Sequence, residues 1–421
     1  MRLLRAALVS AVFIAAGCGR EARAAPPPLY VYEGAGCSGA NNVHQMTALL
    51  GRRPEGVMDF IDWSGAPDHA VASAQWLVRC WKGQGYRLTV SVPMAFRLGG
   101  SLADAGSGKL DATYQAIGKI LVENGFADAD LRLGEEENFG WYPWRSGQNV
   151  ALWKQAFAHL YGVLKAVPGS HFRIWYNPGV GWGQVQQKDD FPGLGVVDGI
   201  AWDAYATSWA SLSPVEPGLW LSNFNNSWGF KSVGSFYGQL PNAITEFGVG
   251  SRSDGHGAPA GSAVNGGDDP MFMSQALAHF AKVKSTFVGY WDYNAGDYNS
   301  KISDGSRPQE TKPFLEAYAS PAMWAIYSAH AAPFTTQPPP KVTARHCHAI
   351  VLQNAPDRWL IIVWAIDPHP DAAVSWSGTM RANRYDPASP EPAQPVESLG
   401  AADSYAVAIQ PDRPVVIEVS Q

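Results

Sequence analysis

The sequence predicts an α/β fold, a (β/α)8 TIM barrel followed by a small C-terminal antiparallel β-sandwich. Three observations carry that expectation. Eight short apolar runs alternate with longer helical patterns between residues 29 and about 292, the runs repeatedly end in acidic or aromatic residues, and the character of the chain changes beyond residue 320. A chain of 421 residues has room for a barrel with an appended domain. Apolar residues make up 46% and charged residues 16%, which supplies a core and excludes a disordered chain. Lys and Arg number 31 against 37 Asp and Glu, a net charge of -6 with no basic run, so the clustered cations that nucleic acid requires are missing. The 17 Trp, 16 Tyr and 17 Phe, beside 43 Gly and 31 Pro, suit the apolar faces of sugar rings as well as ordinary cores.

Residues 1–28 read as an export signal. Arg2 and Arg5 form a positive start, and Ala6 to Ala16 form an apolar stretch too short to span a bilayer. Ala22-Arg23-Ala24 before Ala25 fits cleavage for free secretion, whereas Ala15-Ala16-Gly17-Cys18 resembles a bacterial lipoprotein box with a lipid anchor on Cys18. Both readings place the protein outside the cytoplasm: periplasmic, an outer-membrane lipoprotein, or secreted. Of the other cysteines, Cys37 and Cys80 are the expected pair if a disulfide forms, which leaves Cys347 free. Three buried thiols are the alternative. No Cys or His grouping has zinc-ligand spacing, so neither metal nor cofactor is expected.

The candidate barrel strands are 29–33, 57–62, 86–92, 130–135, 171–176, 198–203, 242–246 and 287–292. Segments such as 69–83 and 149–166 repeat their apolar residues at three- and four-residue spacing and read as the intervening helices. The barrel is expected over 29–325. Pro338-Pro339-Pro340 then reads as a stiff linker, and runs at 346–352, 358–366 and 413–419 read as strands of a domain over 341–421. That domain is expected to be mainly structural, with Trp359, Trp364 and Trp376 as its few large aromatics; a carbohydrate-binding module is the alternative.

Strand ends supply the chemistry. Asp62-Trp63, Glu135-Glu136, Asp203-Ala204-Tyr205, Glu246-Phe247 and Trp291-Asp292 close successive strands, and in this fold the carboxyl ends of the strands form the cleft. Side-chain alternation sends Leu131 and Leu133 toward the helices and Arg132, Gly134 and Glu136 toward the axis, with Glu135 pointing away. The same alternation places Asn242, Ile244 and Glu246 on one face, and Gly199, Ala201, Asp203 and Tyr205 inward. Two carboxylates facing one cleft are what glycoside hydrolysis requires: one protonates the leaving oxygen, the other attacks or stabilises the anomeric carbon. Tyr205 is placed to donate to Glu246 and favour its ionised form.

The run RLGEEENFGWYPW, Arg132 to Trp144, resembles the fourth-strand motif of glycoside hydrolase family 26, a His-Glu-Met-Asn run followed by a Trp-rich stretch. NAITEFG, Asn242 to Gly248, resembles that family's seventh-strand motif. The resemblance spans about residues 29–320. It implies a retaining β-glycanase with Glu136 as acid/base, Glu246 as nucleophile and Tyr205 positioning the nucleophile. It also implies substrate contacts at Asn138 and Trp141 and a sugar platform at Trp291. Trp144, Asp203 and Trp182 complete the expected substrate-binding set. The chain departs from the pattern at Glu135 and Glu137, where the family has His and Met, and this bears on substrate. Family members cleave β-1,4-mannan, β-1,3-xylan or mixed-linkage β-glucan.

The sequence thus leads to an exported, monomeric retaining endo-β-glycanase acting on a polysaccharide of mannan, xylan or glucan type. Alternatives are a hydrolase or transglycosylase of a bacterial exopolysaccharide, and an inactive glycan-binding lipoprotein. The glycine-rich segment 250–267 reads either as a lid over the cleft or as a surface loop.

Overall fold

The computed structural model describes residues 25–206, 224, 226–233, 238–252, 267–329, 338–365, 371–407 and 413–420. Residues 1–24, with Cys18 and most of the expected export signal, and most of the glycine-rich segment lie outside the described residues.

Eight parallel strands close into a barrel in chain order: β1 (Leu29–Tyr32), β2 (Gly56–Phe60), β3 (Arg87–Val92), β4 (Asp130–Leu133), β5 (Arg173–Tyr176), β6 (Gly199–Tyr205), β7 (Asn242–Gly248) and β8 (Val288–Trp291). β8 pairs back with β1 through Leu29–Val288 to Tyr32–Trp291, which leaves no free edge. The principal helices against it are α1 (Gly36–Leu50), α2 (Pro67–Trp81), α3 (Asp111–Glu123), α4 (Val150–Lys165), α5 (Pro270–Lys282) and α6 (Pro308–Tyr318). Their starts carry local signals. Asn149 accepts from the Leu152 N–H at the head of α4, and Asp269 accepts from Met271 and Phe272 before Pro270 opens α5. Cys37 in α1 and Cys80 in α2 are disulfide-bonded, and Cys347 is a free thiol.

Two apolar layers follow from strand alternation. Leu29, Val31, Leu131, Leu133, Ile200, Trp202 and Ile244 face the helices in the larger core. Tyr30, Met58, Trp175, Ala201, Ala243 and Phe287 fill the barrel interior. Gly199 is small because the Trp175 indole takes its side-chain space: a Cβ there would stand 2.2 Å from the ring.

The C-terminal strands are β9 (Val342–Arg345), β10 (His348–Ala355), β11 (Arg358–Trp364), β12 (Ala373–Tyr385), β13 (Glu397–Ala406) and β14 (Val415–Ser420). They form one antiparallel hydrogen-bonded network in which long β12 pairs with β9, β13 and β14. Trp359, Ile361, Val363, Val374, Trp376 and Ile417 bury a core inside this domain. The opposite faces, through Ile350, Leu352, Leu360, Ile362 and Val416, join the core around the barrel. Gly305 permits that approach: its φ is +78° and a Cβ would lie 2.0 Å from the Val351 carbonyl oxygen. Trp359, Trp364 and Trp376 are all buried, so none offers an exposed ring.

Candidate active site

The cleft sits at the carboxyl end of the barrel, and its floor is an ion network set by inward residues of β4 to β7. Arg132 on β4 is fully buried beneath Phe60, with its guanidinium carbon 5.3 Å from the ring centroid. Its Nη2 donates to Asp203 Oδ2 at 2.5 Å and Glu246 Oε1 at 2.6 Å, and its Nε donates to Asn177 Oδ1 at 2.5 Å. Asn177 in turn donates to Asp203 Oδ1 at 3.1 Å, and Thr245 donates to the same oxygen at 2.8 Å. A buried carboxylate pair needs this saturation, because an unpaired buried charge is costly.

Above the floor stand the two glutamates. Glu246 is 7% exposed; its second oxygen, Oε2, accepts from the Tyr205 hydroxyl at 2.5 Å. Glu136 is partly buried and accepts from the indole N–H of Trp141 at 2.9 Å. Carboxylate oxygens of Glu136, Asp203 and Glu246 lie within 4.8 Å of one another, and Arg132 supplies the cation for this group. Burial, reinforced by the charges of Asp203 and Glu246, holds the Glu136 carboxyl well above the usual range. Burial likewise raises Asp203, against the opposing pull of Arg132.

Glu136 reaches the cleft through a turn. β4 ends at Leu133, Gly134 has φ +61° and Glu136 has φ +53°, with the Glu136 N–H bonded to the Asn177 carbonyl at 2.8 Å. A Cβ on Gly134 would meet Met94 and Trp144, so that glycine is required. The next residue, Glu137, anchors the turn from behind. Its backbone carbonyl accepts from the Ser146 N–H at 2.8 Å, and Ser146 Oγ donates to buried Asp190 at 2.6 Å.

A cavity of about 470 Å³ covers the pair, lined by Phe60, Trp63, Trp141, Tyr142, Tyr205, Trp291, Asp297 and Tyr298 with both glutamates. Trp291 stacks on Tyr32 at 4.1 Å and presents an aromatic wall, and Trp141, 51% exposed, stacks on Phe139 at 4.4 Å. Trp182 projects to solvent at 84% exposure and stacks on Trp228 at 5.7 Å.

Three expected substrate contacts are corrected. Trp144 is fully buried, donates to the Glu135 carbonyl at 2.8 Å and stacks under Tyr142, which takes the cleft position instead. Asn138 is fully buried and spends both ends of its amide on the Gly179 backbone, at 3.0 and 2.9 Å, which ties the loops after β4 and β5 together. Asp203 has no exposed side-chain surface and holds Arg132 below the cleft. Alternation on β7 also fails: Ile244 packs toward the helices, yet Thr245 and Glu246 both turn inward, and register shifts interrupt the ladders to β6 and β8 here. Glu135, expected to point away, lines a second cavity beside the first.

Sequence reasoning assigned no role to Arg132, Asn177, Tyr142 or Asp297. The signal for Arg132 was present, since a charge facing a barrel axis must find partners. Asn177 carried the same signal more weakly, two residues beyond inward Trp175.

The fold and its cleft define a (β/α)8 barrel with paired glutamates at the carboxyl ends of strands β4 and β7. No family model matches the chain, and no curated protein is similar to it in sequence. Among solved structures it is similar to a family 26 β-mannanase from Bacteroides ovatus, at 13% identity over 72% of this chain and 90% of that one, with a TM-score of 0.46. It is also similar to a β-mannanase from a symbiotic protist of the termite Reticulitermes speratus, at 15% identity over 70% and 87%, TM-score 0.46. An engineered protein aligns over 94% and 90% at 13% identity, TM-score 0.48.

Proposed function

We propose that the protein is an exported retaining glycoside hydrolase that cleaves internal β-linkages of a polysaccharide. The observation that carries the reading is the meeting of Glu136 and Glu246 in one aromatic cleft, with carboxylate oxygens within 4.8 Å. Retaining pairs stand roughly 5–5.5 Å apart and inverting pairs about 6.5–9.5 Å, and an approach of one oxygen of each carboxylate to within 4.8 Å is compatible with direct attack.

In this reading Glu136, kept protonated by burial and its acidic neighbours, gives its proton to the leaving glycosidic oxygen. Glu246 attacks the anomeric carbon and forms a glycosyl ester, while Arg132 and Tyr205 fix its two oxygens. Glu136, now a carboxylate, takes a proton from water as that water attacks the ester, which restores both groups. Trp291 offers a face for the sugar at the cleavage point. The family 26 resemblance of the two strand motifs supports the same roles, and residues 1–28 support export.

The test pairs a substrate screen with stereochemistry. Mature protein is incubated with mannan, xylans, β-glucans and bacterial exopolysaccharides, and products are resolved by chain length. NMR of the first-formed anomer from a cleaved β-linked substrate is expected to show the β product. An α product would remove Glu246 from its role as nucleophile.

A further inference from the structure

The following rests on the glycosidase reading and adds a substrate class to it. A second cavity, of about 670 Å³, adjoins the catalytic one and shares Phe60, Trp63, Tyr142 and Trp291 with it. A glycan lying across the glutamates therefore continues into it. Its walls are aromatic: the stacked Tyr32 and Trp291, Trp63 edge-on to Tyr142 at 5.9 Å, and Trp76 on α2.

One carboxyl is set into these walls. Glu135 is 3% exposed, and its Oε2 has no hydrogen-bond partner. Such a group is expensive to bury unless something arrives to pair with it. No cation among the described residues bonds it: Arg132, whose charge reaches Glu135 and partly offsets its burial, bonds Asp203 and Glu246 through one nitrogen, and the His69 ring meets Asp62 at 2.9 Å. The residues lining the two cavities include Asp62, Glu135, Glu136, Glu246 and Asp297 and no Lys or Arg. A polyuronate would meet like charge along this path. An ammonium group would meet a carboxylate and several ring faces, each of which attracts it.

We infer that the second cavity is a subsite for an amino sugar, its ammonium donating to Glu135, and that the substrate is a glycan with unacetylated hexosamine units. Burial pushes the free Glu135 carboxyl up to about 7, and an incoming ammonium relieves that cost.

The test is calorimetric titration of the mature chain carrying Glu246→Gln, which halts turnover, with tetrasaccharides of β-1,4-glucosamine, its N-acetylated counterpart and β-1,4-mannose at neutral pH. The glucosamine tetramer is expected to bind about tenfold tighter or more than the other two, as a charge-assisted bond implies. Adding Glu135→Gln is expected to collapse that ratio toward one, while Glu135→Asp keeps a preference. Equal affinities with Glu135 intact, or a ratio that survives Glu135→Gln in a folded protein, overturn the inference. Failure of the catalytic reading has a different signature: the wild-type enzyme then leaves all the corresponding polymers uncut, whatever the binding ratio.

Discussion

Arg132 and Glu246 stand 114 positions apart in the chain and meet in a 2.6 Å ion pair between β4 and β7. The same guanidinium holds Asp203, so one cation fixes two carboxylates below the cleft. Arg132→Met is expected to cost about 3–5 kcal/mol of stability, since it strands buried charge. Urea unfolding measures this, and adding Asp203→Asn is expected to recover part of the loss. A single-variant loss under about 1 kcal/mol would contradict the pairing.

On the proposed mechanism the two glutamates act in different chemical steps. Glu246→Ala is expected to abolish hydrolysis of every substrate, whatever its leaving group. Glu136→Ala is expected to lower activity on polysaccharide by a factor on the order of 10²–10⁴, yet release an activated phenol in a fast first step and then stall. Added azide relieves the stall by attacking the glycosyl ester. Stopped-flow absorbance reads both phases, and an unaffected Glu136→Ala rate on polysaccharide would reject the assignment.

The alkaline limb of the pH profile is expected to belong to Glu136. On the proposed mechanism its raised carboxyl acts while protonated, so rate falls as pH climbs through its titration. Asp203→Asn removes a neighbouring negative charge that helps raise it, and the limb should move to lower pH. A kcat/KM profile that stays put or moves upward would contradict this.

Glu137 and Asp190 give stability its own pH dependence. Burial pushes Asp190 up to about 6 and raises Glu137 well above its ordinary range, with Asp190 adding to the effect. The folded chain therefore holds more protons than the unfolded one above the usual carboxyl range near pH 4, and stability falls as pH rises through the raised values. Glu137→Gln removes one titrating member and should flatten the decline of melting temperature between about pH 5 and pH 8. An unchanged slope would show that the pair does not hold the extra proton.

Cutting the chain after residue 325 exposes the barrel surface that Ile350, Leu352, Leu360 and Ile362 cover. The expected product is aggregated or melts well below the full chain, because apolar area on this scale is not left in water. A soluble barrel with full activity on short oligosaccharides would refute the structural role of the C-terminal domain.

The eight barrel strands were legible because each is a short apolar run bounded by turns, and alternation within β6 is regular enough to place Ile200 and Trp202 outward and Ala201 inward. Alternation stops informing where the backbone leaves extended geometry. The left-handed residues Gly134 and Glu136 break it after β4, and the irregularity at Thr245 and Glu246 breaks it in β7. Glu246 was therefore identified by its motif and its place at a strand end, while the face assigned through Ile244 was the wrong one. The Trp141-to-Trp144 run has no period at all, so sequence could not tell that Tyr142 lines the cavity while Trp144 supports it.

The Cys37–Cys80 bridge joins α1 to α2, close to where Asp59 accepts from the Gly36 N–H and the Trp81 indole. Trp76, between those anchors, covers Gly36 and forms part of the second cavity. If the second cavity holds part of the substrate, the Cys37–Cys80 bridge braces one of its walls. Protein made under reducing conditions would then keep the ion network under the cleft, which lies on other strands, while the wall at Trp76 loses its covalent brace.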